Sequence, residues 1–387
     1  MIKLKNKANC TGCTACKSIC PQQCIMMLED QEGFNYPFVD NTSCIDCSQC
    51  EKICPVINTD SQLNKGDNNT ILYAAYSKDE TIRRNSSSGG IFTLLAKEVL
   101  KKDGRVYGAS FDENFNVVHS YIKDIKDIHI LQGSKYVQSV LGTTFEDIKL
   151  YLKQGGVVLF CGTPCQVAGL RNYVGDRLKK NLYLVDFICH GVPSPKVWNK
   201  YLKENKNQDE YIGISFRKKK YGWKTYSLER KYKSGKVKSS IFTFDTYMQA
   251  FLRDVILRPS CYKCFFRSTN HLSDITLADY WEIKKVIPNF NDDKGVSKVM
   301  VHTEKGEELF NKILFEIKSV FIKTIQRDST TNSVNIPKTR KCYFECVDQL
   351  GIEELHRKFV RRGAIHEIKT WVKGCVKIML FLCKRKL

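Results

Sequence analysis

The chain has 387 residues, a formal net charge of +21 from 62 Lys and Arg against 41 Asp and Glu, and 18 cysteines. That length predicts two or three domains, and with no run of about 18 apolar residues the sequence excludes a membrane-spanning helix. The opening residues, Met1 to Lys7, lack the apolar core of a secretion signal, so the thiols read as metal ligands in a reducing, cytoplasmic compartment rather than as a disulfide framework.

Cys10, Cys13, Cys16 and Cys20-Pro21 form a C-x2-C-x2-C-x3-C-P run, and Cys44, Cys47, Cys50 and Cys54-Pro55 repeat it 34 residues later. Three thiolates at this spacing take three corners of a cubane, and the fourth of each run ligates the other cluster. Cys10, Cys13, Cys16 and Cys54 are therefore expected to hold one [4Fe–4S] cluster, and Cys44, Cys47, Cys50 and Cys20 the second. Zinc would leave the repeated third cysteine of each run unexplained. The stretch resembles bacterial dicluster ferredoxins, which carry single electrons and have no catalytic chemistry of their own. It is expected as a domain over residues 1–60, too small for a good apolar core and stapled by its metal.

Residues 58–69 are polar and read as a linker. A short strand is expected at 72–76. Ser86-Ser87-Ser88-Gly89-Gly90 then opens a helix with apolar positions Ile91, Leu94, Leu95 and Val99. This loop reads either as an anion cradle of free N–H groups or as a capped core helix with Ser88 as the cap. Strands follow at 105–110 and 117–122, then Gly133-Ser134-Lys135-Tyr136-Val137-Gln138-Ser139 and a helix at 144–153. Residues 157–160 are continuously apolar, as in a strand buried on both faces of a parallel sheet. They run into Cys161-Gly162-Thr163-Pro164-Cys165-Gln166. With Thr163 as N-cap and Pro164 at the first helical position, Cys165 falls in the first helical turn, where the helix dipole favours a thiolate. A second such strand, 182–188, ends in Cys189-His190-Gly191, and Ser194-Pro195 starts a helix through Lys203. Two strand-to-helix junctions place Cys165 and Cys189 on one carboxyl edge of the sheet, where open α/β sheets bind ligands.

Short strands are expected at 214–217, 225–232 and 237–244, a helix at 245–257, strands at 274–279 and 296–302, and a helix at 304–317. Cys261 and Cys264 form a chelating pair and, with Cys165 and Cys189, offer four thiols for a third cluster, for a structural zinc, or as unligated core residues. The other six cysteines, Cys24 and Cys161 among them, receive no role. Residues 368–383 form a basic amphipathic pattern that either packs on the body or meets an anionic membrane surface. Charge points the same way. Three clusters at about −2 each leave the chain at about +15, which favours an acidic redox partner, an anionic membrane or an anionic substrate. Nucleic acid is disfavoured, because Arg217-Lys218-Lys219-Lys220 stands without a nucleic-acid motif.

Ser87 to Phe92, Gly133 to Ser139, Gly162 to Gln166, Cys189 to Pro195 and Cys261 to Cys264 occur in an order that resembles the coenzyme F420 hydrogenase/dehydrogenase beta-subunit family, here with a ferredoxin domain in front. The resemblance implies an iron–sulfur flavoprotein oxidoreductase. It implies FAD in the α/β region, a third [4Fe–4S] cluster on Cys165, Cys189, Cys261 and Cys264, and an organic two-electron substrate such as F420. Ser87, Ser88, Gly89, Gly90, Lys135, Tyr136, Gln138, Ser139, Thr163, Pro164 and Gln166 become candidates for holding FAD. His190 becomes a candidate proton relay, against the plainer role of a backbone hydrogen bond. The expected partners are a ferredoxin-like protein or another oxidoreductase subunit, and an electron-transfer subunit with no substrate site of its own is the alternative function. The expected architecture is a dicluster ferredoxin-like domain at 1–60, an α/β flavin-binding domain with a mixed sheet in two regions, 70–205 and 206–330, and a basic helical tail at 331–387, peripheral to the inner membrane face.

Overall fold

The computed structural model describes residues 2–58, 70–206, 208–267, 271–322 and 334–361, with isolated positions between 372 and 379. Strands β1 (Ile25–Glu29) and β2 (Asn35–Val39) pair antiparallel and join the two cysteine runs. The main sheet has eight strands. They are β3 (Ile71–Ser77), β4 (Arg105–Phe111), β5 (Val117–Ile122), β6 (Val158–Cys161), β7 (Leu182–Phe187), β11 (Ile275–Asp279), β12 (Ser297–Val301) and β13 (Ile317–Ile322). The spatial order is β13-β3-β12-β11-β7-β6-β4-β5. The inner four, β11, β7, β6 and β4, run parallel, and antiparallel strands extend both sides.

The apolar runs that foretold doubly buried strands are explained by helices on both faces. Helices Ile91–Leu100 and Glu304–Asn311 bring Leu94, Leu95, Val99, Leu309 and Phe310 against Val185 and Val299 on one face. Helices Thr144–Lys153 and Pro164–Val174 bring Phe145, Ile148, Val167 and Leu170 against Val158, Phe160, Leu182 and Leu184 on the other. A second layer, β8 (Tyr211–Lys218), β9 (Ser227–Tyr232) and β10 (Val237–Ile241), packs with helices Pro195–Asn205 and Thr246–Leu252 around Trp198, Phe216 and Tyr247.

Three expectations are corrected. The helix at 304–317 stops at Asn311, and Ile317 begins β13, which pairs antiparallel with β3. The helix at 245–257 ends at Leu252, because Asp254 adopts φ 63 and Leu257 bridges to Pro193. Residues 334–361, expected in the tail, pack on the body. Arg340 donates to Glu32 Oε1 at 2.7 Å and to Leu257 O at 2.9 Å, which ties this segment to both the ferredoxin-like unit and the second layer. The amphipathic pattern at 368–383 lies outside the described residues, apart from isolated positions.

Candidate redox centres

The repeated cysteine runs become a repeated structure. Thr14 (φ 61) and Ser48 (φ 56) turn left-handed before two five-residue helices, Ala15–Ile19 and Gln49–Ile53. Each helix ends on a Cys held extended, Cys20 at ψ 114 and Cys54 at ψ 118, the backbone that a following Pro enforces. Cys10, Cys13, Cys16 and Cys54 line one cavity, and Cys20, Cys44, Cys47 and Cys50 line another. Each cavity brings together the four cysteines that the spacing groups, three from one run and the fourth from the other. Cys24 also lines the second cavity, with its Sγ 3.4 Å from Cys20 Sγ. Burial and neighbouring thiols push Cys16 up to about 12 and Cys13 well above the ordinary thiol range. Metal must therefore displace protons to occupy these sites.

A third cavity lies at the carboxyl ends of β6 and β7, lined by Cys165, Cys189, Cys261 and Cys264 together with Thr11, Arg258 and His271. Thr163 caps the helix Pro164–Val174. Its backbone N–H donates to Gln166 Oε1 at 2.9 Å, and its Oγ1 lies 3.1 Å from Cys165 Sγ. Cys189 follows β7, and the short turn Pro259–Cys261 presents the chelating pair, with Val192 N donating to Cys261 Sγ at 3.4 Å. Cys165, Cys261 and Cys264 are each pushed up to about 11, chiefly by burial. Desolvation thus outweighs the helix dipole that the sequence credits with favouring a thiolate at Cys165. Among the described residues no three His, Cys, Asp or Glu are arranged for a single metal ion. Four thiols around a cavity offer one ligand to each iron of a cubane.

The first and inner cavities adjoin. Thr11 lines both. The helix Pro164–Val174 carries Gly169 one turn after Cys165, and a Cβ there would stand 3.0 Å from Cys13 Sγ. Cys47 of the second cavity is exposed. The second cavity thus reaches the surface at Cys47, and the first adjoins the inner one through Thr11 and Gly169.

The flavin candidates separate into two groups. Ser87, Ser88, Gly89, Gly90 and Lys135 surround the sheet edge. Ser87 Oγ accepts from Ser134 N at 2.8 Å, Ser88 Oγ donates to Val296 O at 2.9 Å, and Gly89 N donates to Ser297 Oγ at 3.0 Å. The cap of the helix Ile91–Leu100 is Gly90 at φ 89, not Ser88. Gly89 has no room for a Cβ, which would stand 2.5 Å from Ala75 O. Lys135 Nζ donates to Ile130 O and Gln132 O at 3.1 and 3.0 Å, and burial pushes it down to about 7. Lys219, noted in the sequence only as part of the basic run 217–220, donates likewise to Ser88 O and Arg83 O, and burial also pushes it down to about 7. Beside it Arg217 holds Asp279 Oδ2 at 2.7 Å and Tyr136 Oη at 3.1 Å, leaving its Nε buried without a partner. Two buried lysines hydrogen-bonded only to carbonyls, with a buried unpaired guanidinium N–H beside Lys219, offer donors that fit an anionic group such as the FAD pyrophosphate.

The second group is otherwise employed. Gln138 donates to Thr11 O at 3.2 Å and accepts from Arg258 at 2.9 Å, so it joins the ferredoxin-like unit to the body. Ser139 Oγ accepts from Gln166, while Thr163 and Pro164 form the helix start at the inner cavity. His190 turns from the thiols toward Asp254, with Nε2 at 2.8 Å from Oδ1, and packs edge-on to Phe251. His271, on the cavity wall, went unnoticed because no motif surrounds it.

Two cysteine-lined ferredoxin cavities leading to a third at the edge of a mixed sheet define an iron–sulfur electron-transfer subunit of the oxidoreductase class. The chain belongs to the coenzyme F420 hydrogenase/dehydrogenase beta-subunit family. The family's C-terminal domain matches residues 156–325, its N-terminal domain matches 72–144, and a 4Fe-4S dicluster domain matches 9–58. A chain of the F420-reducing [NiFe] hydrogenase complex from Methanosarcina barkeri aligns at 17% identity and a TM-score of 0.46, covering 76% of this chain and 91% of that one. No curated protein matches the chain. Among the described residues no helix is long and apolar enough to cross a membrane.

Proposed function

We propose that this protein moves electrons between one-electron carriers and an organic two-electron acceptor of the F420 kind, using three [4Fe–4S] clusters and one FAD, in company with another oxidoreductase subunit. The observation that carries this reading is the convergence of Cys165, Cys189, Cys261 and Cys264 on one cavity that shares Thr11 with the first ferredoxin cavity. Cys20, Cys44, Cys47 and Cys50 would hold the cluster nearest solvent, Cys10, Cys13, Cys16 and Cys54 the middle one, and the converging four the inner one. Flavin supplies the exchange between single electrons and a hydride. Lys135, Lys219, Ser87 and Gly89 would bind and orient it at the sheet edge, and the second layer of strands would exclude water.

Anaerobic purification with iron, sulfide and flavin measured tests this reading. About twelve irons and one FAD per chain are expected from three cubanes. Eight irons would remove the inner cluster, and absence of flavin would reduce the protein to an electron-transfer subunit with no two-electron terminal.

A further inference from the structure

A buried polar chain leads away from the inner cavity. His271, whose side chain is 3% exposed, places Nδ1 at 3.0 Å from Asp186 Oδ2 on β7. Asp186 is fully buried and accepts from Ser273 Oγ at 2.8 Å and from Thr276 Oγ1. Thr276 Oγ1 lies 2.8 Å from His302 Nε2, and His302 Nδ1 lies 3.0 Å from Thr70 Oγ1, where the chain reaches a half-buried position. The two histidine rings stack at 5.3 Å.

We propose that the Asp186–His271 pair takes up one proton, delivered through Thr70, His302 and Thr276, for each electron that reaches the inner cavity. The proposal rests on the reading of that cavity as a cluster site. With His302 as the Nε2–H tautomer, each link donates inward: Thr70 to His302, His302 to Thr276, Thr276 to Asp186. Burial and the neighbouring His271 hold His302 down to about 4, so it stays neutral and free to pass a proton. The other groups facing the pair are Cys161 at the end of β6, Ser273 before β11 and Arg267 on the cavity wall. An electron added beside a buried carboxylate raises the local negative charge where solvent does not screen it. A proton on the pair cancels that added charge: one electron enters from the ferredoxin-like unit and one proton from water.

Full-length protein, reconstituted without air, is assayed for iron and titrated potentiometrically with EPR detection between about pH 6 and pH 9. The inner signal is the one missing from Cys261→Ser. Its potential should fall by about 59 mV per pH unit, the tenfold change per unit of a one-electron couple bound to one proton. His271→Gln should flatten that slope. Thr276→Val, which leaves the pair in place, should keep the slope and slow reduction of the inner cluster several-fold. Twelve irons with a flat wild-type potential, or a slope unchanged in His271→Gln, overturns the proposal. A wild-type reduction rate in Thr276→Val overturns the path. Eight irons in the wild type overturns the inner cluster itself and the proposal with it. If His271→Gln loses iron, the rate in Thr276→Val decides.

Discussion

Arg258 is fully buried and donates to Cys10 O at 2.7 Å, to Asn35 O at 2.9 Å and to Gln138 Oε1 at 2.9 Å, while its guanidinium stacks 4.3 Å from the Tyr36 ring. One side chain from the body thus satisfies two carbonyls of the ferredoxin-like unit, one of them on Cys10 of the first cavity. Arg258→Leu would fill much of the volume and leave three buried acceptors unpaired, a loss on the order of 3 kcal/mol or more. The expected outcome is a lower urea midpoint, with iron lost from the first cavity before the second. Uniform loss from both would show that Arg258 does not hold the first cavity in particular. Cys24 presents the opposite case, since it lines the second cavity without belonging to a repeated position. Cys24→Ala should leave the iron content unchanged, and loss of about four irons would make Cys24 a ligand.

At the scale of elements, the helix Pro164–Val174 joins two cavities through Cys165 and Gly169. A Cβ at position 169 would meet Cys13 Sγ at 3.0 Å, closer than ordinary contact, while Phe145 stands on the other side at 3.5 Å. Gly169→Ala should therefore cost about 1–3 kcal/mol through overpacking and slow reduction of the inner cluster by stopped flow, with flavin content unchanged. An unaltered rate would mean that electrons take another route. The start of this helix was legible in the sequence, because Thr163, Pro164 and Gln166 form a local cap whose chemistry lies within four residues. The grouping of the cysteines was legible from the repeated spacing, although each group draws its fourth member from the other run. The pairing of β13 with β3 was not. Residues 304–317 continue a helical pattern, and only the distant edge of β3 draws Ile317 to Ile322 into the sheet. The surroundings of Lys219 and His271 were likewise hidden, because carbonyls and a carboxylate more than eighty residues away in sequence define them.

Across the whole molecule, the ferredoxin-like unit is built into the body rather than appended to it. Arg258, Gln138 and the Arg340–Glu32 fork cross the boundary, and Gly33 at φ 85 brings β1–β2 so close to the helix Pro195–Asn205 that a Cβ would stand 2.3 Å from Lys196 Cβ. This integration makes the response to acid a property of the entire fold. His119 and His302 lie in different parts of the main sheet, and burial pushes each down to about 4. Unfolded, each titrates near its ordinary value of about 6.5. Between those values the unfolded chain binds more protons, so the stability they permit is fully present above about pH 6.5 and is lost as pH falls toward 4. Each should contribute about 1 kcal/mol of loss between pH 7 and pH 5.5. In His119→Gln and His302→Gln the urea midpoint should fall less over that interval than in the wild type, whatever the starting stability of each variant. Equal falls in all three proteins would place the acid sensitivity elsewhere.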